Sequence, residues 1–298
     1  MGAKATCAAD TMDLVRPLHY IATGILRALP LRAWRHRRFL RPRRHRLRPP
    51  VEGARPLRVL ALGVYLSEGV HSAEHIAAAL AKSGPGIEVV QRWAAIGTVS
   101  TNPELARLTV VQSVEMQPKF ELINRALVGV EISTFDYVLV CDDDIYLPDG
   151  FVAFFLAYQQ AFDLALAQPA RAWHSHFDHA FALRRPWLLA RRTRFVECGP
   201  LISIRRDAAS FLVPFSNPAQ LWGLDLVWPV EIERRGLKMG IIDAIAVDHS
   251  LRPQASAYDK EQQDAAMHRF LARIEHLPMK EAFIVLDRYW KLPQRGAS

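Results

Sequence analysis

The sequence of 298 residues is poor in cysteine and lacks a long uninterrupted hydrophobic run. Its three cysteines, Cys7, Cys141 and Cys198, are far apart and odd in number, which argues against a disulfide framework and fits a reducing compartment. The apolar stretch from Leu18 to Leu31 is interrupted by Arg27 and is too short to span a bilayer core of about 30 Å. Half of the residues are hydrophobic and 23% are charged, so we expect a globular, cytoplasmic protein.

Negative charge is missing from one part of the chain. No Asp or Glu lies between Leu14 and Val51, and eleven arginines fall in that window. The net charge is +8, so the rest of the chain carries −3 (8 minus 11). Because the basicity belongs to an N-terminal extension, residues 1–54, the domain that follows has no basic surplus that would indicate a nucleic-acid partner.

The N-terminal extension combines an amphipathic segment with a polybasic run. Such a segment can lie on an anionic membrane surface, where each basic residue adds about 1 kcal/mol. A solvated arm is the alternative. We therefore predict a cytoplasmic protein that is either free or peripheral at the inner face of the membrane.

After Pro49 and Pro50 the sequence alternates between strand and helix patterns. Strands are predicted at 57–66, 87–97, 108–115, 135–141 and 164–170 and after the Gly-Pro turn of 194–208, and helices at 72–84, 118–129 and 150–162. This succession predicts an α/β domain over residues 55–298, with a mostly parallel sheet flanked by helices. Ligands bind beyond the carboxyl ends of the strands in such sheets.

Three consecutive aspartates, Asp142, Asp143 and Asp144, follow the predicted strand 135–141. They repel one another, and burying them without a partner is costly, so a positive group is expected beside them. A carboxylate cluster at a strand end suits Mg²⁺ or Mn²⁺. A solvated acidic turn is the alternative, since short acidic motifs are frequent.

Five segments, taken in order, resemble the GT-A nucleotide-sugar glycosyltransferases, and within them a poorly characterised group of glycosyltransferase-like proteins. They are PKFELINRAL (118–127), YVLVCDDDIYLP (137–148), VECGPLISIRRDA (196–208), WGLDLVWP (222–229) and GIIDAIAVDHS (240–250). The resemblance implies a GT-A-like, Rossmann-like fold. It also implies metal-dependent, inverting transfer of a sugar from a nucleoside-diphosphate sugar, a UDP- or GDP-sugar, to a saccharide or another hydroxyl acceptor.

On the donor side, the resemblance implies that Asp144 ligates Mn²⁺ or Mg²⁺. Asp142 is expected to face the ribose or to support the ion, and Asp143 to lie near the donor. Lys119 resembles a lysine that approaches the donor, and Asn124 a residue of the same helix that steadies the loop. An exposed lysine at a helix start and a polar helix face are the alternatives.

The resemblance also implies a further metal ligand, a histidine that comes late in the sequence. His249 follows the predicted strand 240–247, and it is our candidate to close the metal shell, with Asp248 as the alternate. A histidine that only satisfies local hydrogen bonds is the other interpretation.

On the acceptor side, Asp225 is our candidate for the base that takes the proton of the acceptor hydroxyl. A helix-capping aspartate is the alternative, because the segment 222–236 predicts a Trp-Gly turn followed by a helix, and Asp225 lies near the first turn of that helix. The resemblance places Glu197, Trp222 and Gly223 beside the acceptor, although a structural role for Glu197 fits nearly as well.

Three histidines, His174, His176 and His179, have a spacing that invites a zinc interpretation. No cysteine or helical register supports it, so we assign them to an acceptor-side loop. The C-terminal pattern around Met267, Phe270, Leu271 and Ile274 predicts a packing helix.

Two other classes of function fit clustered aspartates. A metal-dependent phosphoryl-transfer enzyme or hydrolase is one, for which a second carboxylate set is expected. A catalytically inactive nucleotide- or carbohydrate-binding module is the other.

Overall fold

The computed structural model describes residues 55–219, 222–253 and 259–293. In that part of the chain nine strands form one sheet in the order β3-β2-β1-β4-β7-β5-β8-β6-β9. The strands are β1 Leu57–Leu66, β2 Ile87–Ile96, β3 Thr109–Ser113, β4 Tyr137–Cys141, β5 Leu166–Arg171, β6 Ala190–Thr193, β7 Leu201–Arg205, β8 Met239–Val247 and β9 Val285–Tyr289.

Helices cover both faces of the sheet. They are α1 Ala73–Ala81, α2 Pro103–Leu108, α3 Lys119–Ala126, α4 Phe151–Ala161, α5 Arg206–Leu212, α6 Leu224–Arg234, α7 Lys260–Leu271 and α8 Met279–Ala282, with short 3-10 helices at Ile132–Thr134 and Ala180–Ala182. No helix among the described residues is long and apolar enough to cross a membrane.

The sheet is mostly parallel, as predicted. The strands β3, β2, β1 and β4 pair in parallel, and so do β5 and β8. Only β6 and β7 run against the other strands, because each pairs antiparallel with both of its neighbours. The carboxyl ends of β1, β4, β5 and β8 therefore meet at one edge of the sheet, where a ligand site is expected.

Two apolar layers hold the helices onto the sheet. On one face, Ile76 and Leu80 of α1 and Phe151 and Phe155 of α4 are buried. On the other face, Phe120 of α3 and Trp228 of α6 pack edge to face with ring centroids 6.1 Å apart. This contact between aromatic rings fixes the first turn of α3 relative to α6.

The sequence predictions are confirmed for the α/β fold class and the sheet flanked by helices. The strands β6 and β9 were missed because each is short and lacks a clear alternation of apolar residues. The predicted C-terminal packing helix corresponds to α7, whose Met267, Phe270 and Leu271 pack on α6. The basic N-terminal extension, and with it the predicted contact with an anionic membrane, lies outside the described residues.

A fully buried ion pair joins the antiparallel strands β6 and β8. The Nε of Arg191 lies 2.8 Å from Oδ2 of Asp243, and both side chains are inaccessible to solvent. The remaining guanidinium nitrogens donate to the carbonyl oxygens of Phe181 and Leu183. A buried pair of this kind is costly to break, because the partner that stays behind keeps an uncompensated charge.

We predict that Arg191→Met lowers the free energy of unfolding by about 3–5 kcal/mol, because Asp243 then stays buried without its cation. Arg192→Met is the matched control one residue away, since Arg192 makes only a half-exposed pair with Asp287 at 3.4 Å. The control is expected to cost about 0–1 kcal/mol. Urea denaturation of both variants measures the difference, and equal losses would contradict the prediction.

Candidate active site

A cavity of about 490 Å³ lies at the edge of the sheet where β1, β4, β5 and β8 end. The charged residues that the sequence predicts for the site are among the side chains that line it. The charged lining residues are Lys119, Asp142, Asp143, Asp144, Arg171, Asp178, Glu197, Asp225, Arg252 and Asp264. The positive group expected beside the aspartates is supplied, among the described residues, by basic side chains from three separate segments.

Asp142 is held by Lys119 at the start of α3. The Nζ of Lys119 lies 2.7 Å from Oδ1 of Asp142 and also donates to the carbonyl oxygen of Cys198 at 3.0 Å. A Cβ atom at Gly199 would lie 2.6 Å from Oδ2 of Asp142, so any larger residue there would have to displace the Asp142 carboxylate. The structure thus brings the two predicted donor-side residues, Lys119 and Asp142, together.

Asp143 links the ends of three elements. Its Oδ2 accepts from the backbone N–H of Leu66 at 2.7 Å, and its carbonyl oxygen accepts from the N–H and the hydroxyl of Ser72. Both carboxylate oxygens also contact the guanidinium of Arg252. Burial raises the pKa of Asp143 above its usual value, although Arg252 opposes this effect. Asp143 therefore serves to join β4 to the end of β1 and to the turn before α1.

Asp144 lies beside His249. The segments after β4 and β8 pair through Tyr146 and Asp248, whose backbone groups exchange hydrogen bonds. This pairing places Nε2 of His249 at 3.0 Å from Oδ1 of Asp144. Burial alone would raise the pKa of Asp144, but the hydrogen bond from His249 and the charges of Arg252 and Arg171 lower it below its usual value.

The other nitrogen of His249 faces Arg171. Its Nδ1 contacts NH1 of Arg171, and a guanidinium can only donate hydrogen bonds. Nδ1 must then accept, so a neutral ring in this position carries its proton on Nε2 and donates it to Asp144. Arg171 thereby assigns the tautomer of His249.

Arg171 connects the predicted donor side of the cavity to the predicted acceptor side. It is the last residue of β5 and is only 3% exposed. Its Nε and NH2 donate to Oε2 of Glu197 at 2.9 and 2.7 Å, and NH2 also donates to the carbonyl oxygen of Gly199. A buried Arg–carboxylate pair of this geometry fixes both side chains. The charge of Glu197 is therefore paired, and its place beside the acceptor stays a prediction.

Asp225 stands at the start of α6, on the wall of the same cavity. The preceding Gly223 has φ +99°, a left-handed conformation that favours glycine. Burial, and after it the negative charge of Glu197, raise the pKa of Asp225 to about 7, while backbone N–H groups at the start of α6 oppose the shift. Such a carboxyl can exchange a proton near neutral pH.

The carboxylates fit a divalent ion better than His249 does. Oδ1 of Asp144 is buried, and among the described residues no donor apart from His249 reaches it. Mg²⁺ commonly binds through one or two carboxylates together with substrate phosphates. His249, in the tautomer that Arg171 assigns, presents a proton to Asp144 and not a lone pair. Its role as a ligand stays a prediction.

The predicted trio of Asp142, Asp144 and His249 is not assembled in advance. Within residues 55–219, 222–253 and 259–293, no group of three or more His, Cys, Asp or Glu side chains is arranged to hold one metal ion. Asp142 faces Lys119, and the alternate ligand Asp248 has Oδ2 at 3.0 Å from Nε2 of His174.

Of the other residues predicted for the site, some line the cavity and Asn124 does not. Trp222 and Gly223 line the cavity, as does His179, whose ring packs between those of Phe195 and Phe283. Asn124 is not among the lining residues, and its amide exchanges two hydrogen bonds of 2.9 Å with the backbone of Phe215. Asn124 therefore steadies the segment that follows α5.

Sequence reasoning missed Arg171 and Arg252. The signal for Arg171 was an arginine directly after the apolar strand pattern 164–170, at the edge where ligands bind. Arg252 follows the Asp-His pair by three residues and carried no motif of its own.

No family model matches the sequence, and no curated protein matches it. Among solved structures, GalNAc-T7 with UDP, GalNAc and Mn²⁺ resembles the chain with a TM-score of 0.50 and 11% identity, over 73% of this chain and 48% of that one. The chain thus spans about half the length of that structure. S. aureus TarS resembles it with a TM-score of 0.45 and 11% identity in complex with UDP, over 73% of this chain and 71% of that one. TarS in complex with UDP-GlcNAc resembles it with a TM-score of 0.47 and 13% identity, over 73% of this chain and 66% of that one.

The likeness to GalNAc-T7 carries the fold assignment, because it reaches a TM-score of 0.50. The described chain has a fold of the GT-A type. An identity of 11% shows the fold alone, since one fold can host unrelated functions. Activity has to be argued from the site.

We predict that Glu197→Gln lowers the pKa of Asp225 below about 7, because the substitution removes the negative charge that opposes ionisation of Asp225. Glu233→Gln, at the other end of α6, is the matched control and leaves this pKa unchanged. Carboxyl ¹³C NMR during a pH titration measures both. An unchanged value in Glu197→Gln would mean that burial alone raises the pKa.

Proposed function

We propose that the protein is a glycosyltransferase that moves a sugar from a nucleoside-diphosphate sugar to a hydroxyl acceptor with inversion at the anomeric carbon, and that it uses Mn²⁺ or Mg²⁺. One observation carries the proposal. In a fold of the GT-A type, the aspartate cluster after β4 and a carboxyl with a pKa of about 7, Asp225, face one cavity at the carboxyl edge of the sheet.

The donor is assigned to the side of the cavity lined by the ends of β1 and β4. Lys119 and Arg252 are the basic side chains that face the aspartates there, and they are positioned to meet the negative charge of a diphosphate. Asp144 and Asp142 are the carboxylates that would hold the divalent ion. When bound, that ion supplies Lewis-acid stabilisation of the leaving diphosphate.

Asp225 is assigned the base. The oxygen of the acceptor hydroxyl attacks the anomeric carbon, its proton passes to the carboxylate of Asp225, and the bond between the sugar and the diphosphate breaks. The leaving diphosphate keeps the electron pair. A base with a pKa near the working pH combines a usable population of the carboxylate with a useful proton affinity. Glu197 is paired with Arg171, which supports Asp225 over Glu197 for this role.

The acceptor is assigned to the side of the cavity between α6 and α7. Trp222, Met267 and Met279 line it together with the polar side chains of Asp178 and His179. An aromatic ring and polar groups of this kind can hold a saccharide, by packing on its face and by hydrogen bonds to its hydroxyls.

We predict that UDP binds to the full-length protein in the presence of Mn²⁺, and that Asp144→Asn reduces the affinity to the value measured with a chelator. The reason is that Asn offers the ion a neutral amide in place of a carboxylate. Asp149→Asn, the same substitution at an exposed position outside the cavity, is the control and retains the parent affinity. Calorimetry provides the measurement.

Two outcomes would count against the proposal. If the parent binds UDP with equal affinity with and without chelator, the proposed dependence on Mn²⁺ or Mg²⁺ is refuted. Failure to bind UDP, GDP or their sugar derivatives would refute the proposal that the protein is a glycosyltransferase.

We predict that Asp225→Asn binds UDP and Mn²⁺ as the parent does but transfers sugar about 100-fold more slowly, the usual effect of losing a positioned base. In the parent, the rate is expected to rise with pH through about 7, because Asp225 must lose its proton to act. Release of UDP from UDP-GlcNAc or UDP-GalNAc, with water in place of the acceptor, measures both effects.

Asp207→Asn, in the first turn of α5, is the matched control and is expected to keep the parent rate. An unchanged rate in Asp225→Asn would assign the base elsewhere.

A further inference from the structure

Arg252 is a basic side chain among the aspartates at a place where no motif predicts one. It follows β8 by five residues, and its side chain is 20% exposed to the cavity. Its NH1 donates to Oδ2 of Asp143 at 3.3 Å and to the carbonyl oxygen of Val70 at 3.3 Å, while NH2 contacts Oδ1 of Asp143. The same NH2 lies 3.4 Å from Oδ2 of Asp144.

The contacts of Arg252 are of two kinds. The forked pair with Asp143 uses both carboxylate oxygens, a geometry that only a planar guanidinium provides. The approach to Asp144 is longer, at 3.4 Å, and lies at the limit of a hydrogen bond. Arg252 is therefore anchored on Asp143 and only loosely engaged with Asp144.

A divalent ion at Asp144 would meet this guanidinium. The two oxygens of Asp144 face His249 and Arg252, so an ion that binds there must displace one of them or lie beside a like charge. The cost falls if the guanidinium finds another acceptor. A diphosphate oxygen is such an acceptor, because a guanidinium has five N–H donors and binds phosphate readily.

We propose that Arg252 binds the diphosphate of the donor and that, until the donor arrives, it competes with the divalent ion for Asp144. This inference rests on the proposed function, because it assumes that a nucleoside diphosphate enters the cavity. Arg252 keeps its fork on Asp143 and transfers the contact at Asp144 to a phosphate oxygen. Metal and nucleotide then favour each other's binding, and by linkage the effect is the same in both directions.

The test is a Mn²⁺ titration of the full-length protein, followed by the electron paramagnetic resonance signal of free Mn²⁺, with and without UDP. In Arg252→Gln, Mn²⁺ alone is expected to bind about 10-fold more tightly than in the parent, within the usual range of coupling between sites. UDP is expected to bind more weakly at saturating Mn²⁺. The factor by which UDP strengthens Mn²⁺ binding therefore falls about 10-fold or more. Gln is chosen because its amide can still donate to Asp143.

Arg234→Gln is the matched control. It removes the same charge from the far end of α6, where Arg234 pairs with Glu231 and Glu275, and it is expected to reproduce the parent values. Arg252→Lys is the second variant. Lysine keeps the charge that competes with the ion but cannot form the fork, so Mn²⁺ alone binds as in the parent while UDP binds more weakly.

Equal affinity for Mn²⁺ alone in Arg252→Gln and the parent would overturn the competition and leave the proposed function standing. If Arg252→Gln does not fold, parent-like UDP affinity in Arg252→Lys would overturn the diphosphate contact. A parent protein that binds neither UDP nor Mn²⁺ would overturn the proposed function and this inference together.

Discussion

Charge balance at the carboxyl edge of the sheet is the constraint on which the site depends. Seven carboxylates share the cavity wall with three basic side chains. The carboxylates are Asp142, Asp143, Asp144, Asp178, Glu197, Asp225 and Asp264, and the basic residues are Lys119, Arg171 and Arg252. Several of these groups are buried, and a buried carboxylate without a partner lowers the stability of the fold. The fold therefore has to place each basic side chain beside a particular carboxylate.

The pairs that result also hold the sheet edge together. Lys119 ties the start of α3 to β4, Arg171 ties β5 to the segment before β7, and Arg252 ties the segment after β8 to β4. A ligand that brings its own negative charge must therefore exchange with contacts that stabilise the fold. Partly exposed contacts such as that of Arg252 exchange at lower cost than the buried pair of Arg171 with Glu197, since water and the ligand can replace what is lost.

The sequence indicated the parts of the site that depend on local pattern. A buried strand followed by aspartates is visible in a short window, and so is an acid in the first turn of a helix, as at Asp225. The pairing of Arg171 with Glu197 and His249 could not be predicted in this way. It requires that β5 and β8 be neighbours although they are far apart in the chain, and that the segment before β7 lie beside both. The same reason explains Asn124, whose partner Phe215 is 91 residues away.

Glu197 and Asp225 illustrate how the surroundings give two similar carboxyl groups different properties. Glu197 has a guanidinium bound to it, and the pair is buried as a unit. Asp225 has no such cation among the described residues, and burial, together with the nearby negative charge of Glu197, raises its pKa to about 7. The ion pair with Arg171 thus holds the carboxylate of Glu197 in place beside Asp225. Because Arg171 also contacts His249, one buried side chain connects Glu197, whose charge acts on Asp225, to the histidine beside the proposed metal site.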